Sequence, residues 1–438
     1  MTGPGATEKF TYQTLIELCG PVTQGGVNAL IRNDALEPTA GPGTPIAAVK
    51  YPKNSKGKNE RGSINNYVVR AVDDQPKVSV TLLSKQGLLN HVEAAVSSAP
   101  EDSALNLLPR IGVRYPSPAD PDDTIVLSNL ELPHRSIDAH VLAAHHEETD
   151  TPAYLHPAIT GIRRIPATNH RALLTAAPFD LIGGCWDSSN KRGQLRVAST
   201  LVGEITAVVA DQTQDEKRAP HAGATRIDPL GAALSALDET SYRELKAIRA
   251  GSSDAAADAA RMALKKDEKP TPSAVGLGGI ITSPLNPEGA PDLVAVTDIT
   301  LRWALSLNAL RRMHFGIDPT DPAVSAASVD VAETTVRAAL VAAVLCAQAY
   351  LDNDLYLRAG TDLIMTEPAC YRGRASGRPE RHLAAPTVDE AEALLRTAVE
   401  ELHAVGIDWS GQRLVFAGNP GIRIGDIDAD ADDSDENS

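Results

Sequence analysis

Ala177-Pro178-Phe179-Asp180-Leu181-Ile182-Gly183-Gly184-Cys185-Trp186-Asp187-Ser188-Ser189 continues through Asn190-Lys191-Arg192-Gly193-Gln194-Leu195-Arg196 into Val197-Ala198-Ser199-Thr200-Leu201-Val202-Gly203-Glu204-Ile205. Apolar residues lead into two glycines, then a tryptophan, then a polar and basic turn, then a second apolar run. This pattern predicts a hairpin in which backbone comes close to something and a side chain stays available to touch it. A buried strand with a core tryptophan fits the same letters, because tryptophan is mainly a packing residue. The rest of the chain has to separate the two readings.

At 438 residues the chain is long enough for one large domain with insertions or for two to three domains. Hydrophobic residues make up 42% and aromatics only 4%, so the expected core is sizeable and aliphatic. The formal net charge is −16, and seven of the acids crowd into the C-terminal run Asp426 to Glu436. Setting those seven aside leaves −9 for the body. An acidic total argues against indiscriminate nucleic-acid binding but allows a local basic groove. Cys19, Cys185, Cys346 and Cys370 form no CxxC pair, so neither a zinc knuckle nor a disulfide framework is expected, and a reduced, cytoplasmic setting fits. The start Met1-Thr2-Gly3-Pro4-Gly5 lacks a signal-peptide pattern. The apolar run Ala338 to Ala347 falls short of the ~20 residues a bilayer span needs, so no membrane partner is expected.

Apolar spacing predicts helices over Thr11 to Cys19, Leu82 to Val96, Thr300 to Phe315 and Val331 to Leu351, the last one a core helix. Tyr67 to Val72 and Val78 to Leu83 read as short strands or a strand entering a helix, and strands are expected at Thr124 to Leu127, Leu293 to Ile299, Leu355 to Ile364 and Arg413 to Ala417. Gly25 to Gly62 reads as loop-rich and carries the densest basic run, with Lys50, Lys53, Lys56, Lys58 and Arg61. Such a run is a solvated loop or a phosphate-contacting one. The alanine-rich, charged segment around 250–272 reads as an exposed helix on an insertion or as a poorly ordered linker. Thr387 with Glu390 three residues on marks a helix start, and Gly406 marks its end.

No Gly-x-Ser-x-Gly elbow and no HExxH helix is present. Asp187 and Asp228 are the best-placed carboxylates, each in a glycine- or proline-punctuated turn, where an aspartate also serves to bond turn amides. The Gly276-to-Gly279 loop lacks the Gly-Lys-Ser/Thr ending of a phosphate loop. A soluble metabolic enzyme using Asp187 and that loop is therefore one reading, and a scaffold protein whose turns shape an interface is another. The cations are more informative. Arg32, Arg135, Lys191, Arg192, Arg196 and Arg226 all lie in or beside glycine-, proline- or serine-bearing turns, which suits tracking a phosphate backbone. A single-strand binder also needs a stacking platform, and Trp186 is the aromatic nearest such cations.

Several segments in consistent order carry a family resemblance. They are Gly183 to Ser189, Leu195 to Ile205, Arg226-Ile227-Asp228-Pro229-Leu230, Ser273 to Ile280, Leu305-Ser306-Leu307-Asn308-Ala309-Leu310-Arg311-Arg312-Met313-His314-Phe315 and Leu355 to Leu363. Together they resemble the CRISPR-associated RAMP proteins of type I-U (also called I-G) systems, which supply the Cas-seven-like backbone subunit of the effector (Cascade) complex. The sequence departs from the family at Gly279, where an asparagine is usual, and at Thr200, where a glutamate is usual. The resemblance implies an α+β, ferredoxin-like (RRM-type) core with large insertions over residues 1–425, followed by an acidic, disordered tail over 426–438. It implies a non-catalytic, guide-RNA-binding subunit that polymerises along crRNA and supports recognition of target DNA. Its partners would be neighbouring copies of itself, a Cas-five/Cas-six-type subunit and a large subunit, with no cofactor or metal. On this reading the RNA-contacting residues are Arg32, Lys53, Arg135, Trp186, Lys191, Arg196 and Arg226, the cations on phosphates and Trp186 beside a nucleotide.

Overall fold

The computed structural model describes residues 7–52, 63–65, 67–72, 75–117, 123–166, 168–187, 196–210, 239–249, 257, 259, 293–318, 320 and 328–422. It contains both helices and antiparallel sheet, an α+β architecture. The chain divides into two compact units, one of Met1–Thr44, Ser79–Val208 and Val296–Ser438, the other of Pro45–Val78 and Val209–Ala295.

The first unit is organised around the strand Ala29–Pro38, inside the stretch expected to be loop-rich. Its side chains alternate, with Leu30, Arg32, Asp34 and Leu36 on the buried face. A strand needs this period of two, and here two charged residues occupy apolar positions in it, which disguised the pattern. The strand pairs antiparallel with Val296–Ser306, Arg32 lying opposite Trp303 and Asn33 opposite Arg302. The helix expected from Thr300 therefore begins only at Leu307, after Ser306, whose side chain accepts from Ala309 N. Leu301, Trp303 and Leu305 are buried at alternate positions, so period two overrode a spacing that also suits a helix.

On its other edge the central strand is shared. Leu36 to Pro38 pair with Thr361–Met365, and Ala29 to Ile31 pair with Cys370–Arg374. The single strand expected over Leu355 to Ile364 is a hairpin of Leu355–Arg358 and Thr361–Met365. It turns at Gly360, whose φ of 80° suits a residue without Cβ. Across the sheet the order runs from this hairpin through Ala29–Pro38 and Val296–Ser306 to Leu201–Val209 and then Gln75–Leu83.

Helix Val329–Asp352 packs on helices Tyr12–Cys19, Lys85–Ser97 and Val388–His403. It is buried along nearly its whole length, and its many alanines leave room for neighbours on several sides. The helix Val388–His403 has the expected capping box, with Thr387 and Glu390 each bonding the other's backbone N–H. Arg413–Ala417 pairs parallel with Arg110–Pro116, which pairs antiparallel with Thr124–Ser128. In the second unit, Lys50–Pro52 and Ser63–Asn65 form a two-stranded ladder, and Glu239–Arg249 is an amphipathic helix with Tyr242 and Ala247 buried.

Candidate nucleic-acid interface

The stretch from Ala177 is not a strand up to its glycines. Asp180–Gly183 is a short helical turn, and the hairpin proper pairs Cys185–Trp186 with Arg196–Val197. The side chain that ends the apolar reading is Asp180, which is completely buried. It accepts from Asn129 Nδ2 at 2.9 Å, Ser136 N at 3.1 Å and Ser136 Oγ at 2.5 Å. Burial pushes its carboxyl up to about 6, against the opposing pull of Ser136 and Arg135. A buried carboxylate held by three donors anchors the turn on the segment 129–136.

The two glycines have separate reasons. A Cβ on Gly183 would lie 2.8 Å from Arg135 Nε and 3.0 Å from Glu93 Oε1. Gly184 has φ 81°, and a Cβ there would lie 2.7 Å from both Ser199 N and Val197 O. The expected close approach of backbone is thus real, but the neighbours are the protein's own. Arg135 is buried and has φ 55°. It donates from Nε and Nη2 to Glu93 at 2.5 and 3.1 Å and from Nη1 to Gly184 O at 3.0 Å. Burial alone would lower its pKa, and Glu93 more than compensates, so it stays charged. Arg135 thereby ties helix Lys85–Ser97, which carries Glu93, to the residue that begins the hairpin.

Beyond Gly184 the hairpin turns outward. Trp186 is 53% exposed, and Arg196, directly opposite it in the ladder, sets its guanidinium carbon 5.7 Å from the indole centroid. That separation is within reach of a cation–π contact. Cys185 and Asp187 on either side are buried, as alternation requires, and Arg163 Nε lies 3.6 Å from Asp187 Oδ2. The choice left open by the sequence resolves this way: Trp186 faces outward, with a cation over its ring.

Arg32 sits elsewhere and differently. It is fully buried, donating from Nε to Asp34 at 2.5 Å and from Nη1 to Asp352 at 2.6 Å and Tyr371 Oη at 3.2 Å. Burial works against its charge, but Tyr371, Asp352 and Asp34 hold it protonated. Its donors are engaged within the core, so a phosphate could reach them only if these pairs opened. Arg135 is committed in the same manner. Of the seven residues named from the sequence, the structure brings together Trp186 and Arg196, with Arg135 behind them. Lys53, Lys191 and Arg226 lie outside the described residues, as do Asp228 and the Gly276-to-Gly279 loop. Sequence reasoning did not single out Glu93, Asn129, Ser136 or Asp180 as the hairpin's supports.

Among the described residues no group of three or more His, Cys, Asp or Glu is placed to hold a metal ion, and no helix is long and apolar enough to cross a membrane. Cys19, Cys185 and Cys346 are buried free thiols, and burial pushes the thiol of Cys19 up to about 12. A search of curated proteins finds no match. Residues 30–212 match the family model of CRISPR-associated protein GSU0053. That span runs from the central strand through the Trp186 hairpin, and the match indicates a CRISPR-associated protein.

Proposed function

We propose that this chain is the guide-RNA-binding backbone subunit of a CRISPR effector complex of the type I-U/I-G kind, acting without catalysis of its own. The observation that carries the reading is the exposed Trp186 with Arg196 over its ring, held on a hairpin braced from behind. Binding single strands without sequence choice calls for a π-surface on which any base stacks and cations that follow the phosphates, and the hairpin supplies both types of group side by side. Lys191 and Arg192 fall in the sequence between them and add to the positive charge of that segment.

The strand order of the first unit supports a ferredoxin-like core. Taken in chain order, Ala29–Pro38, helix Lys85–Ser97, Leu201–Val209, Val296–Ser306, helix Val329–Asp352 and the Leu355–Met365 hairpin give the alternation βαββαβ. Their order across the sheet is fourth, first, third, second, and Gln75–Leu83 adds an outer strand. In this reading the partners are crRNA, target DNA, neighbouring copies of the chain, a Cas-five/Cas-six-type subunit and a large subunit, in the cytoplasm.

The test is binding of the purified chain to single-stranded RNA. Trp186→Ala is expected to weaken binding by about 1–3 kcal/mol, roughly 5- to 150-fold, with the unfolding midpoint in urea unchanged. Full RNA affinity in the variant, or no RNA binding by the natural chain, would overturn the reading.

A further inference from the structure

The ion pair that braces the hairpin is also the back wall of a cleft. Helix Lys85–Ser97 and the segment 130–135 enclose about 420 Å³ between Gln86, Asn90 and Ala94 on one side and Leu130, Leu132 and Pro133 on the other, with Glu93 and Arg135 behind. The volume falls in the range of small-ligand sites, roughly 300–1,000 Å³. Leu130 and Leu132 are largely buried and give one wall an apolar surface, while Gln86 and Asn90 are exposed on the helix and present amides. Gln86 Nε2 donates to Asn90 Oδ1 at 2.8 Å. This leaves Gln86 Oε1 as an acceptor beside Asn90 Nδ2 as a donor, and turning both amides over exchanges the two roles.

We infer that this cleft is a base pocket, taking one nucleobase of the strand whose neighbour stacks on Trp186. The inference rests on the RNA-binding reading and adds a second subsite to it. The cleft's chemistry selects the ligand. Glu131 presents a carboxylate that also accepts from Ser128 N, and Arg135 spends its guanidinium on Glu93 and Gly184, so a phosphate finds no unengaged cation among the described residues that line it. A neutral, flat ring with donors and acceptors on its edge meets an apolar wall and a reversible amide pair. Asparagine and glutamine amides of this kind pair with the edges of bases, and one that can turn over accepts more than one base. Splayed single strands are read in this way, base by base. The position is right as well. Gly184 O, bonded to Arg135 Nη1, precedes Trp186 by only two residues, so Arg135 joins the back wall of the cleft to the start of the hairpin that carries the indole.

The experiment compares two oligomers of equal length, oligouridylate and its abasic ribose-phosphate counterpart, binding to the natural full chain, to Trp186→Ala and to the double variant Gln86→Ala/Asn90→Ala. Both amides are exposed, so the double variant should fold normally, and its urea midpoint checks this. The double variant is expected to bind oligouridylate roughly tenfold more weakly, the worth of two hydrogen bonds, and to bind the abasic oligomer as the natural chain does. Unchanged affinity for oligouridylate, or an equal loss for both oligomers, would overturn the pocket. If Trp186→Ala loses affinity while the double variant does not, the RNA-binding reading stands and the pocket alone falls. If the natural chain binds neither oligomer, both fall.

Discussion

Two arginine sites in the first unit make an instructive pair. Arg32 and Arg196 are the same residue in a strand, each beside an aromatic ring. Arg32 Cζ lies 5.1 Å from the Tyr371 centroid and Arg196 Cζ 5.7 Å from that of Trp186. Their surroundings decide what each can do. Arg32 faces the interior and meets Asp34, Asp352 and a buried tyrosine hydroxyl, so its charge is consumed internally. Arg196 is exposed at the end of a two-residue strand, with an exposed indole opposite it. Residue type and local turn chemistry therefore do not identify a phosphate-binding arginine. The supply of carboxylates and the face of the strand decide whether a guanidinium is engaged inside the protein or presented at the surface.

The sharpest way to break the comparison is Arg32→Ala. Removing one partner of a buried ion cluster leaves the others uncompensated, at a cost of about 3–5 kcal/mol. Here Asp34 and Asp352 would both be stranded beside the sheet, with Gln348 still bonded to Asp352 Oδ1 at 2.7 Å. Against a total stability of about 5–15 kcal/mol this is a large fraction, and urea unfolding measures it. A folded Arg32→Ala chain of normal stability and weakened RNA affinity would instead place Arg32 with Arg196.

Asp180 offers the next largest effect. Its carboxyl is raised from 3.8 to about 6, chiefly by burial. The folded chain thus holds a proton that the unfolded chain releases, and stability from this group falls as pH rises between about 4 and 6. Above 6 the full penalty of about 3 kcal/mol is present, and below 4 it is absent. Asp180→Asn should lower stability at low pH, because an amide that keeps its oxygen on Ser136 sets its NH2 against Asn129 Nδ2, and should flatten the decline between pH 4 and 6. Unfolding free energies across pH 3.5 to 7 check the slope. An unaltered slope would show that Asp180 is not the titrating group.

Which parts were legible from the letters follows from how local their causes are. The core helix Val329–Asp352 and the capping box at Thr387 rest on residues within a few positions of each other, and the reading placed both. The strand Arg413–Ala417 is a short apolar run with nothing competing. The burial of Arg32 was not legible because its partners Asp352 and Tyr371 are 320 and 339 residues away in sequence. One signal was available: Leu30, Arg32, Asp34 and Leu36 stand at alternate positions, which puts an opposite-charge pair on one apolar face. Val296–Ser306 reads partly as helix because Leu301, Leu305 and the later leucines fit both periods, and only pairing with Ala29–Pro38 chooses between them. In the hairpin, the glycines correctly signalled close approach. That the approaching groups are Arg135, Glu93 and Ser199 depends on tertiary neighbours no spacing reveals.

The smallest effect is the most discriminating. An arginine that neutralises one phosphate of a single strand contributes roughly 0.7 to the slope of log affinity against log salt. Arg196→Ala is therefore expected to make that slope shallower by about 0.7 while leaving stability within about 0.5 kcal/mol, since the side chain is exposed. Arg196→Lys keeps the charge but loses the planar group that lies over Trp186, so it should retain the slope and lose part of the affinity. Titrations at several salt concentrations separate the two contributions. If Arg196→Ala weakens binding with the slope unchanged, Arg196 serves the indole and not a phosphate. The hairpin would then be a stacking platform whose phosphate contacts come from other cations, and the contrast with Arg32 would lie in what each arginine holds in place.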